Sequence, residues 1–232
     1  MSVDVTFVIA HRGASAAYRE NTVEAFAGAR QMGADMVELD VRRTADGTLA
    51  VHHDAGLADG RLLVDLRGPD LPAHVPTLLD ALDACDPLGV NIEIKNYMGD
   101  PDYDESLQLA DAVAALVAER ELHQRVLISS FNLHDVDRVR AIDPTIATAW
   151  LTMSIPNVAE TVDRCVRHGH RVLHPHFIFA TDGLVEACHA AGVQVNTWTV
   201  DDPDLMRRLI DDGIDGIVTN VPDVLLRVRG RG

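Results

Sequence analysis

Acidic side chains stand two residues apart inside segments of the chain that are otherwise apolar. Glu38 and Asp40 lie within MVELDV, and Glu93 lies within VNIEIK. Strand side chains alternate between the two faces of a sheet, so Glu38 and Asp40 share one face. Three carboxylates that meet in a buried place repel one another and lose hydration, and a divalent cation relieves both effects. Since all-oxygen ligation suits hard cations, the pattern predicts a Mg²⁺ or Ca²⁺ site rather than a zinc site.

An ion-pair role is the plainer alternative for these acids. A single E-x-D on a strand is typical of a solvated face, and Glu93 alone would pair with Lys95 or Arg42. Acids at the ends of two successive predicted strands, with histidines after them, favour the metal site.

Two histidines adjoin these segments. His11 closes the first apolar run, directly before Arg12, and alternation along TLAVHHD places His53, and not His52, on the face of the preceding Leu and Val. Two histidines beside a metal-bound substrate suit general acid and general base catalysis, although neutral imidazole is also a good metal ligand. Arg12 and Lys95 suit phosphate oxygens, the first as a planar fork and the second as a point charge. These residue types together predict a phosphate-ester site.

Five further histidines lack such a context, and we expect them to be ordinary core or surface residues: His123, His134, His168, His170 and His189.

The elements that must position these residues alternate along the chain. Short apolar runs predict eight strands, at residues 5–10, 36–41, 90–95, 125–130, 145–151, 171–174, 193–199 and 216–220. Apolar residues at helical spacing predict helices between them, within residues 21–33, 78–85, 105–121, 133–142, 157–169, 183–192 and 204–213. This alternation implies a parallel sheet, and eight strands within about 250 residues match a closed (β/α)₈ barrel. Such barrels carry their active sites at the C-terminal ends of the strands, where the acids and histidines fall.

Composition restricts the class of protein further. The chain has 232 residues and is 47% apolar, which predicts one domain spanning residues 1–232. Its net charge of −16 disfavours binding to nucleic acid or to an anionic membrane. The cysteines lack a C-x-x-C spacing, no apolar run reaches the ~20 residues of a membrane span, and the N-terminal segment does not resemble a signal peptide. We therefore expect a cytoplasmic protein without stable membrane association.

The order of the motifs resembles that of the glycerophosphodiester phosphodiesterases. Residues 11–54 are similar to the family's N-terminal signature, with HRG, ENT, E-x-D and HD in succession. NIEIK is similar to the family's E-x-K strand, and VPTLLDAL to the stretch before it. VNTWTVDDPDLMRRLIDDGIDGIVTNVPD resembles the C-terminal signature. The resemblance covers nearly the whole chain and is weakest over residues 100–170.

This resemblance implies a fold, a reaction and a set of site residues. The fold is an α/β TIM barrel of the phospholipase C-like phosphodiesterase type. The reaction is metal-dependent hydrolysis of glycerophosphodiesters to glycerol 3-phosphate and an alcohol such as choline or ethanolamine, within lipid and glycerol metabolism. Glu38, Asp40 and Glu93 would bind Mg²⁺ or Ca²⁺, and His11 and His53 would form the acid–base pair.

Further residues match the family's motifs. Arg12 and Lys95 would hold phosphate oxygens. Glu20 and Asn21 belong to the ENT motif; Glu20 would orient Arg12 or a histidine, and Asn21 would either support the site or cap a helix. Trp198 would either wall the glycerol or leaving group, or pack within the barrel.

The resemblance also implies a mechanism in which the neighbouring glycerol hydroxyl attacks phosphorus and a cyclic phosphate forms before hydrolysis. One histidine accepts the proton of that hydroxyl, and the other protonates the leaving alkoxide. Direct attack by water is the competing route.

One departure from the family's pattern leaves the substrate preference undecided. The short segment 55–75 replaces a longer insertion that often covers the substrate, so the leaving-group preference is open. A lysophospholipase D-like action on acylated glycerophosphodiesters is an alternative; it would need an apolar groove and some membrane affinity, and the acidic composition argues against membrane docking. A metal-dependent sugar isomerase or aldolase, or a non-catalytic barrel, fits the residues less well. The partners we expect are a small phosphodiester substrate and, as an open option, a second copy of the chain.

Overall fold

Apolar runs and amphipathic segments alternate along the chain, and the computed structural model, which describes residues 5–230, folds them as strands and helices. The strands are β1 (Phe7–His11), β2 (Met36–Arg43), β3 (Leu49–Val51), β4 (Gly89–Ile94), β5 (Val126–Ser130), β6 (Ala147–Thr152), β7 (Val172–Pro175), β8 (Gln194–Thr197) and β9 (Gly216–Thr219). The helices are α1 (Val23–Met32), α2 (Leu78–Cys85), α3 (Gln108–Glu119), α4 (Leu133–Ile142), α5 (Val158–Arg167), α6 (Asp182–Ala190), α7 (Pro203–Asp211) and α8 (Pro222–Arg229).

Eight of these strands form a closed parallel barrel. Starting at β1, neighbouring strands pair in the order β1, β9, β8, β7, β6, β5, β4 and β2, and the pairing of β1 with β2 closes the ring. The helices follow the barrel strands and cover its outside, as in other barrels of this class. The predicted (β/α)₈ barrel is therefore confirmed.

Two elements were not predicted from the sequence. Strand β3 pairs antiparallel with β2 outside the ring, and helix α8 follows β9. Strand β3 has three residues, too few to show a period, and α8 has eight residues and begins at Pro222. Proline is well suited to the first turn of a helix, so Pro222 is a start signal from which this helix could have been predicted.

Local signals explain where the helices begin and end. Thr22 caps α1 by accepting a hydrogen bond from the backbone N–H of Ala25, and Gly33 ends the helix with φ of 92°. Thr77 and Asp80 form a reciprocal capping box at the start of α2. The caps at Thr22 and Thr77 fix where the loops that lead into α1 and α2 end.

The main core fills the space between the strands and the surrounding helices. Its largest fully buried side chains include Phe26, Leu39, Ile92, Ile128 and Met206. A smaller apolar cluster of Ala50, Leu57, Leu63 and Val75 holds the segment after β3 against the barrel. Within residues 5–230, none of the helices has both the length and the apolar character needed to cross a membrane.

Candidate active site

Strand register brings the predicted acids together at one end of the barrel. In the β1–β2 pair His11 lies beside Glu38, and in the β2–β4 pair Asp40 lies beside Glu93. All three carboxylates are largely buried, with 3%, 1% and 9% of Glu38, Asp40 and Glu93 exposed. One oxygen of each carboxylate lies within 4.8 Å of the others. The alternation of strand side chains thus produces the carboxylate cluster that the sequence predicts.

The electrostatics of this cluster fit the binding of a cation. Burial raises the pKa of Glu38 well above its usual range, and the neighbouring Asp40 and Glu93 raise it further. Burial likewise raises the pKa of Glu93. Burial also acts to raise the pKa of Asp40, but Lys95 and Arg12 outweigh it and the pKa falls below its usual value. Glu38 Oε1 is buried without a hydrogen-bond partner among residues 5–230. An unpartnered oxygen in an all-oxygen cluster suits a hard divalent cation.

Two cations flank the cluster. Lys95 Nζ lies 2.7 Å from Glu93 Oε1 and 3.4 Å from Asp40 Oδ1. Arg12 Nε lies 3.2 Å from Asp40 Oδ2, and the Arg12 backbone N–H donates to Glu38 Oε2 at 3.0 Å. Glu93 therefore pairs with Lys95 and also belongs to the cluster, so the two readings of this residue do not exclude each other.

The other partner considered for Glu93 is engaged elsewhere. Arg42 donates to Asp102 at 2.6 and 2.7 Å and to Asp100 at 2.8 Å. The alternative prediction that Glu93 pairs with Arg42 was thus wrong.

The ENT motif supports the acids and the arginine from behind. Glu20 accepts two hydrogen bonds from Arg12 Nη1, at 2.9 and 3.0 Å. Asn21 has a φ of 56°, in the left-handed region, and its Nδ2 donates to Asp40 Oδ2 at 2.7 Å. The alternative role of Asn21 as a helix cap was wrong, because Thr22 is the N-cap of α1. Asparagine tolerates this backbone conformation better than most residues, which lets the amide reach Asp40.

The orientation of the His11 ring is fixed by a contact with the residue that follows the neighbouring strand β9. His11 Nδ1 lies 2.7 Å from Asn220 Oδ1, and Asn220 Nδ2 donates to Asp201 Oδ2 at 2.6 Å. Because the amide is oriented by Asp201, its oxygen accepts and His11 Nδ1 carries the hydrogen. The lone pair of Nε2 therefore points into the site, where it lies 3.9 Å from Glu38 Oε2. Burial lowers the pKa of His11, and the charge of Arg12 lowers it further, so the ring is neutral near pH 7.

His53 is held in the same manner by its neighbour in sequence. Its Nδ1 lies 2.7 Å from Asp54 Oδ1, so this nitrogen donates to a carboxylate and Nε2 is free. Burial lowers the pKa of His53, while Asp40 acts to raise it. His52 instead bonds the backbone oxygen of Asp54 and does not line the site. The face predicted for His53 is the one the structure shows.

Two adjoining cavities open at this end of the barrel. The smaller, about 110 Å³, is lined by both histidines together with Glu38, Glu93 and Trp198. The larger, about 510 Å³, lies on the other side of His53. It is walled by residues that follow β3, β4, β5 and β6, including Ala55, Tyr97, Phe131 and Met153.

Trp198 both lines the smaller cavity and packs. Its indole N–H donates to the backbone oxygen of His174 at 2.9 Å, and its ring meets Phe131 edge to face at 5.4 Å. Packing is thus what holds the tryptophan in the cavity wall, so its two candidate roles are compatible. Together with this residue, all ten predicted site residues lie at the same end of the barrel.

Three residues of the site were not predicted. Asn220 orients His11, Phe131 lines both cavities, and Asn91 lies in the smaller one with its Oδ1 buried and unpartnered among the described residues. Asn91 had a usable signal, since it precedes Glu93 by two positions on the same strand and so shares its face. The other two depend on barrel closure, which no local pattern reveals.

Comparison with known proteins agrees with this geometry. Residues 11–224 match the model of the glycerophosphoryl diester phosphodiesterase family. A glycerophosphodiester phosphodiesterase of Caldanaerobacter subterraneus subsp. tengcongensis is 33% identical over 98% of this chain and 99% of its own length.

Solved structures give the same result. A glycerophosphodiester phosphodiesterase of Parabacteroides distasonis superposes with a TM-score of 0.85 at 26% identity, covering 98% of each chain. A phosphodiesterase of Oleispira antarctica, in complex with the product sn-glycerol-3-phosphate, superposes with a TM-score of 0.83 at 28% identity, covering 97% of this chain and 96% of its own.

Proposed function

The chain belongs to the glycerophosphoryl diester phosphodiesterase family, and from that membership we propose how its own side chains carry out the reaction. The protein is a phosphoric diester hydrolase that cleaves glycerophosphodiesters to glycerol 3-phosphate and an alcohol. Its substrate is thus a small molecule with one negative charge on phosphorus.

Glu38, Asp40 and Glu93 would hold the divalent ion, which we propose to be Mg²⁺ or Ca²⁺. The donor set consists of carboxylate oxygens only, and the buried Oε1 of Glu38 has no other partner among residues 5–230. When bound, the ion would supply positive charge to the phosphoryl oxygens and so favour the charge that builds up in the transition state.

Arg12 and Lys95 position the phosphate. Each already makes ion pairs at the cluster, and each lines the smaller cavity. Glu20 holds the guanidinium of Arg12 from behind, which leaves the arginine little freedom to turn away. A phosphate in that cavity would therefore find two donors whose positions are set before it binds.

The two cavities support different roles for the two histidines. His11 lines the smaller cavity only, whereas His53 borders both. We place the glycerol in the smaller cavity, where neutral His11 takes the proton of the attacking hydroxyl through Nε2. The fraction of His53 that is protonated, a form that the carboxylates of Asp40 and Asp54 favour against burial, gives its Nε2 proton to the alkoxide that leaves into the larger cavity, as the bond between phosphorus and that oxygen breaks. A cyclic phosphate results, and water then opens it with the histidine roles reversed.

One observation carries this proposal: three buried carboxylates converge within 4.8 Å, directly beside two histidines whose Nδ1 atoms are both held by acceptors. The test is turnover of a panel of glycerophosphodiesters, measured as released glycerol 3-phosphate, in EDTA and with added Mg²⁺, Mn²⁺ or Ca²⁺. EDTA should abolish turnover, and a divalent ion should restore it. His11→Ala and His53→Ala should each lose most activity and still fold. Full activity in either variant would remove that residue from the mechanism.

The nucleophile can be tested separately. A phosphodiester without a hydroxyl next to its phosphate, such as bis(p-nitrophenyl) phosphate, cannot form a cyclic phosphate. Turnover of that substrate at the rate of glycerophosphocholine would favour direct attack by water and contradict the cyclic route.

The larger cavity supports a second substrate class. Its walls are mostly apolar, and Tyr97 and Met153, which are 56% and 59% exposed, stand at its edge. An acyl chain on the substrate glycerol would find apolar surface there, as a lysophospholipase D-like action requires. Direct competition between glycerophosphocholine and lysophosphatidylcholine decides the matter. Met153→Asp should impair only the acylated substrate, whereas equal loss on both substrates would count against a role for this cavity in acyl binding.

A further inference from the structure

A second cluster of metal-ligating side chains lies away from the hydrolytic site. Asp137 lies in the middle of α4, and His168 and His170 flank Gly169 in the turn between α5 and β7. This turn leads into the N-terminal end of its strand, the opposite end of the barrel from the catalytic residues. None of these residues lines the two catalytic cavities.

The three side chains converge on one point. His168 Nδ1 lies 2.9 Å from both carboxylate oxygens of Asp137, and His170 Nε2 lies 3.1 Å from Asp137 Oδ1. One ligand atom from each residue lies within 4.8 Å of the other two. Ligands about 2.0–2.1 Å from a tetrahedral zinc ion are separated from one another by about 3.3 Å. The nitrogen–oxygen distances are close to that spacing, so a small cation needs only slight outward movement of the ligands.

The backbone and a neighbouring hydroxyl preorganise the cluster. Gly169 has a φ of 79°, a left-handed turn that lets both histidines face the same carboxylate. The two imidazole rings are nearly parallel, 16° apart, with centroids separated by 6.2 Å. Thr148 Oγ1 lies 2.9 Å from His170 Nδ1. A hydroxyl both donates and accepts, so it can accept from Nδ1–H when Nε2 is needed as a metal ligand.

We propose that Asp137, His168 and His170 form a site for a transition-metal ion of the zinc type, which ties α4 to the turn before β7. Two imidazole nitrogens and one carboxylate oxygen are the ligands of a borderline cation such as Zn²⁺, Co²⁺ or Ni²⁺, in contrast with the all-oxygen cluster of the hydrolytic site. The ion supports the N-terminal end of the barrel, which in this fold serves stability rather than catalysis.

Two other histidines each contact a single aspartate without a second imidazole nearby, in contrast with this cluster. His189 lies 2.8 Å from Asp215 Oδ2, and His123 lies 2.9 Å from Asp143 Oδ2, each as a simple pair. Only one nitrogen ligand is present in each of those pairs. His189 is therefore a matched control: a partly exposed histidine bonded to an aspartate, without a second imidazole.

A substitution at Arg140 should change the metal affinity in the opposite direction, by raising it. A Cβ added at Gly169 would lie 2.8 Å from its guanidinium, so the arginine packs on the turn of the cluster. Its charge opposes a bound cation. Removing that charge should tighten metal binding, a result that a merely structural role of the cluster does not produce.

The test is a Co²⁺ titration of metal-free protein, followed by visible absorption, with saturating Mg²⁺ present to fill the oxygen site. We expect one Co²⁺ per chain with the intense bands of tetrahedral coordination, and displacement of Co²⁺ by Zn²⁺. His168→Ala should weaken binding at least ~10-fold, and Asp137→Asn should also weaken it. His189→Ala should leave the affinity unchanged, and Arg140→Gln should raise it several-fold. Hydrolysis in Mg²⁺ should be unchanged in His168→Ala, so failure here does not affect the assignment of the hydrolytic site.

Two results would overturn the proposal. One is wild-type protein that binds no Co²⁺ under these conditions. The other is His168→Ala and Asp137→Asn that both bind Co²⁺ as tightly as wild type, because the ion would then be held elsewhere. Thermal unfolding in EDTA serves as the folding control. His168 is partly exposed, so His168→Ala and wild type should unfold at similar temperatures there, and only wild type should gain stability from Zn²⁺.

Discussion

Replacing Glu38 by glutamine removes one charge from the buried carboxylate cluster and keeps the size of the side chain. Glu38 is 3% exposed, and its Oε1 has no hydrogen-bond partner among residues 5–230. Asp40 and Glu93 present two further carboxylates within 4.8 Å. A glutamine amide has no charge to desolvate, and its N–H groups can donate to those neighbours. We therefore expect Glu38→Gln to stabilise the metal-free protein.

The magnitude follows from the unpartnered oxygen. Leaving a buried acceptor without a hydrogen bond costs about 1–3 kcal/mol. For a domain of 232 residues, each kcal/mol moves Tm by about 2–4 °C. The expected gain in EDTA is thus roughly 2–12 °C.

The pH dependence of this gain in Tm tests whether the buried charge of Glu38 is its cause. Burial raises the pKa of the Glu38 carboxyl above its value in the unfolded chain, so the folded state binds the proton more tightly. Metal-free wild type therefore loses stability as pH rises from the ordinary glutamate pKa, about 4.3, through the raised folded value. The advantage of Glu38→Gln should be small in acid and should grow as pH rises through that window.

Metal ions should reverse the order of stability. At a Mg²⁺ concentration 100 times Kd, binding stabilises the folded state by about 2.7 kcal/mol, or roughly 5–11 °C in Tm for a chain of this size. Glu38→Gln loses a charged ligand and should lose most of this shift. The assay is thermal unfolding followed by circular dichroism, in EDTA and in Mg²⁺, at pH 5 and pH 8. Glu186→Gln makes the same chemical change on the exposed side of α6 and should leave every midpoint unchanged.

One pattern of midpoints would refute the reasoning. Glu38→Gln that unfolds below wild type in EDTA at pH 8, and still gains the full shift from Mg²⁺, would mean that Glu38 is neither electrostatically strained nor a ligand. The carboxylate cluster would then be an ion-pair network satisfied by Arg12 and Lys95 alone.

Three further substitutions test other contacts. Asn220→Ala removes the acceptor that holds His11 Nδ1 and should lower kcat about 10–100-fold with little change in KM. Asp54→Asn removes the charge that favours protonated His53, so the alkaline limb of the kcat–pH profile should move to lower pH. Arg42→Ala leaves two aspartates without their buried partner and should lower the free energy of unfolding by about 3–5 kcal/mol, measured by urea denaturation.

The common placement of Glu38, Asp40 and Glu93 was predicted from the period of a strand. Alternation along MVELDV sets Glu38 and Asp40 on one face, and the common end of parallel strands brings Glu93 beside them. The shared face and the common end of the strands need no knowledge of which strands are neighbours in space, whereas the contact of Asp40 with Glu93 depends on the pairing of β2 with β4. For that reason the barrel and its ring of acids can be predicted from one sequence.

Contacts between elements that are distant in sequence could not be predicted in this way. Asn220 follows the last strand of the barrel and orients His11 at the end of the first, 209 positions earlier in the chain. The pairing of His168 and His170 with Asp137 likewise depends on how α4 packs beside the turn after α5. The spacing of residues along the chain does not predict such contacts, because they form only when elements that are distant in sequence pack together.

The charge balance of the site explains why buried acids and buried cations occur together. With all three acids ionised, as a bound cation would require, Glu38, Asp40 and Glu93 against Arg12 and Lys95 leave one net negative charge in the cavity before the charge of the ion is counted. A divalent ion would turn this into one net positive charge, and a phosphodiester carries one negative charge that would neutralise it. Without Arg12 and Lys95, the ion and substrate together would leave two uncompensated negative charges in a buried site. The cations thus suit an anionic substrate, and they also keep the acids tolerable while the ion is absent.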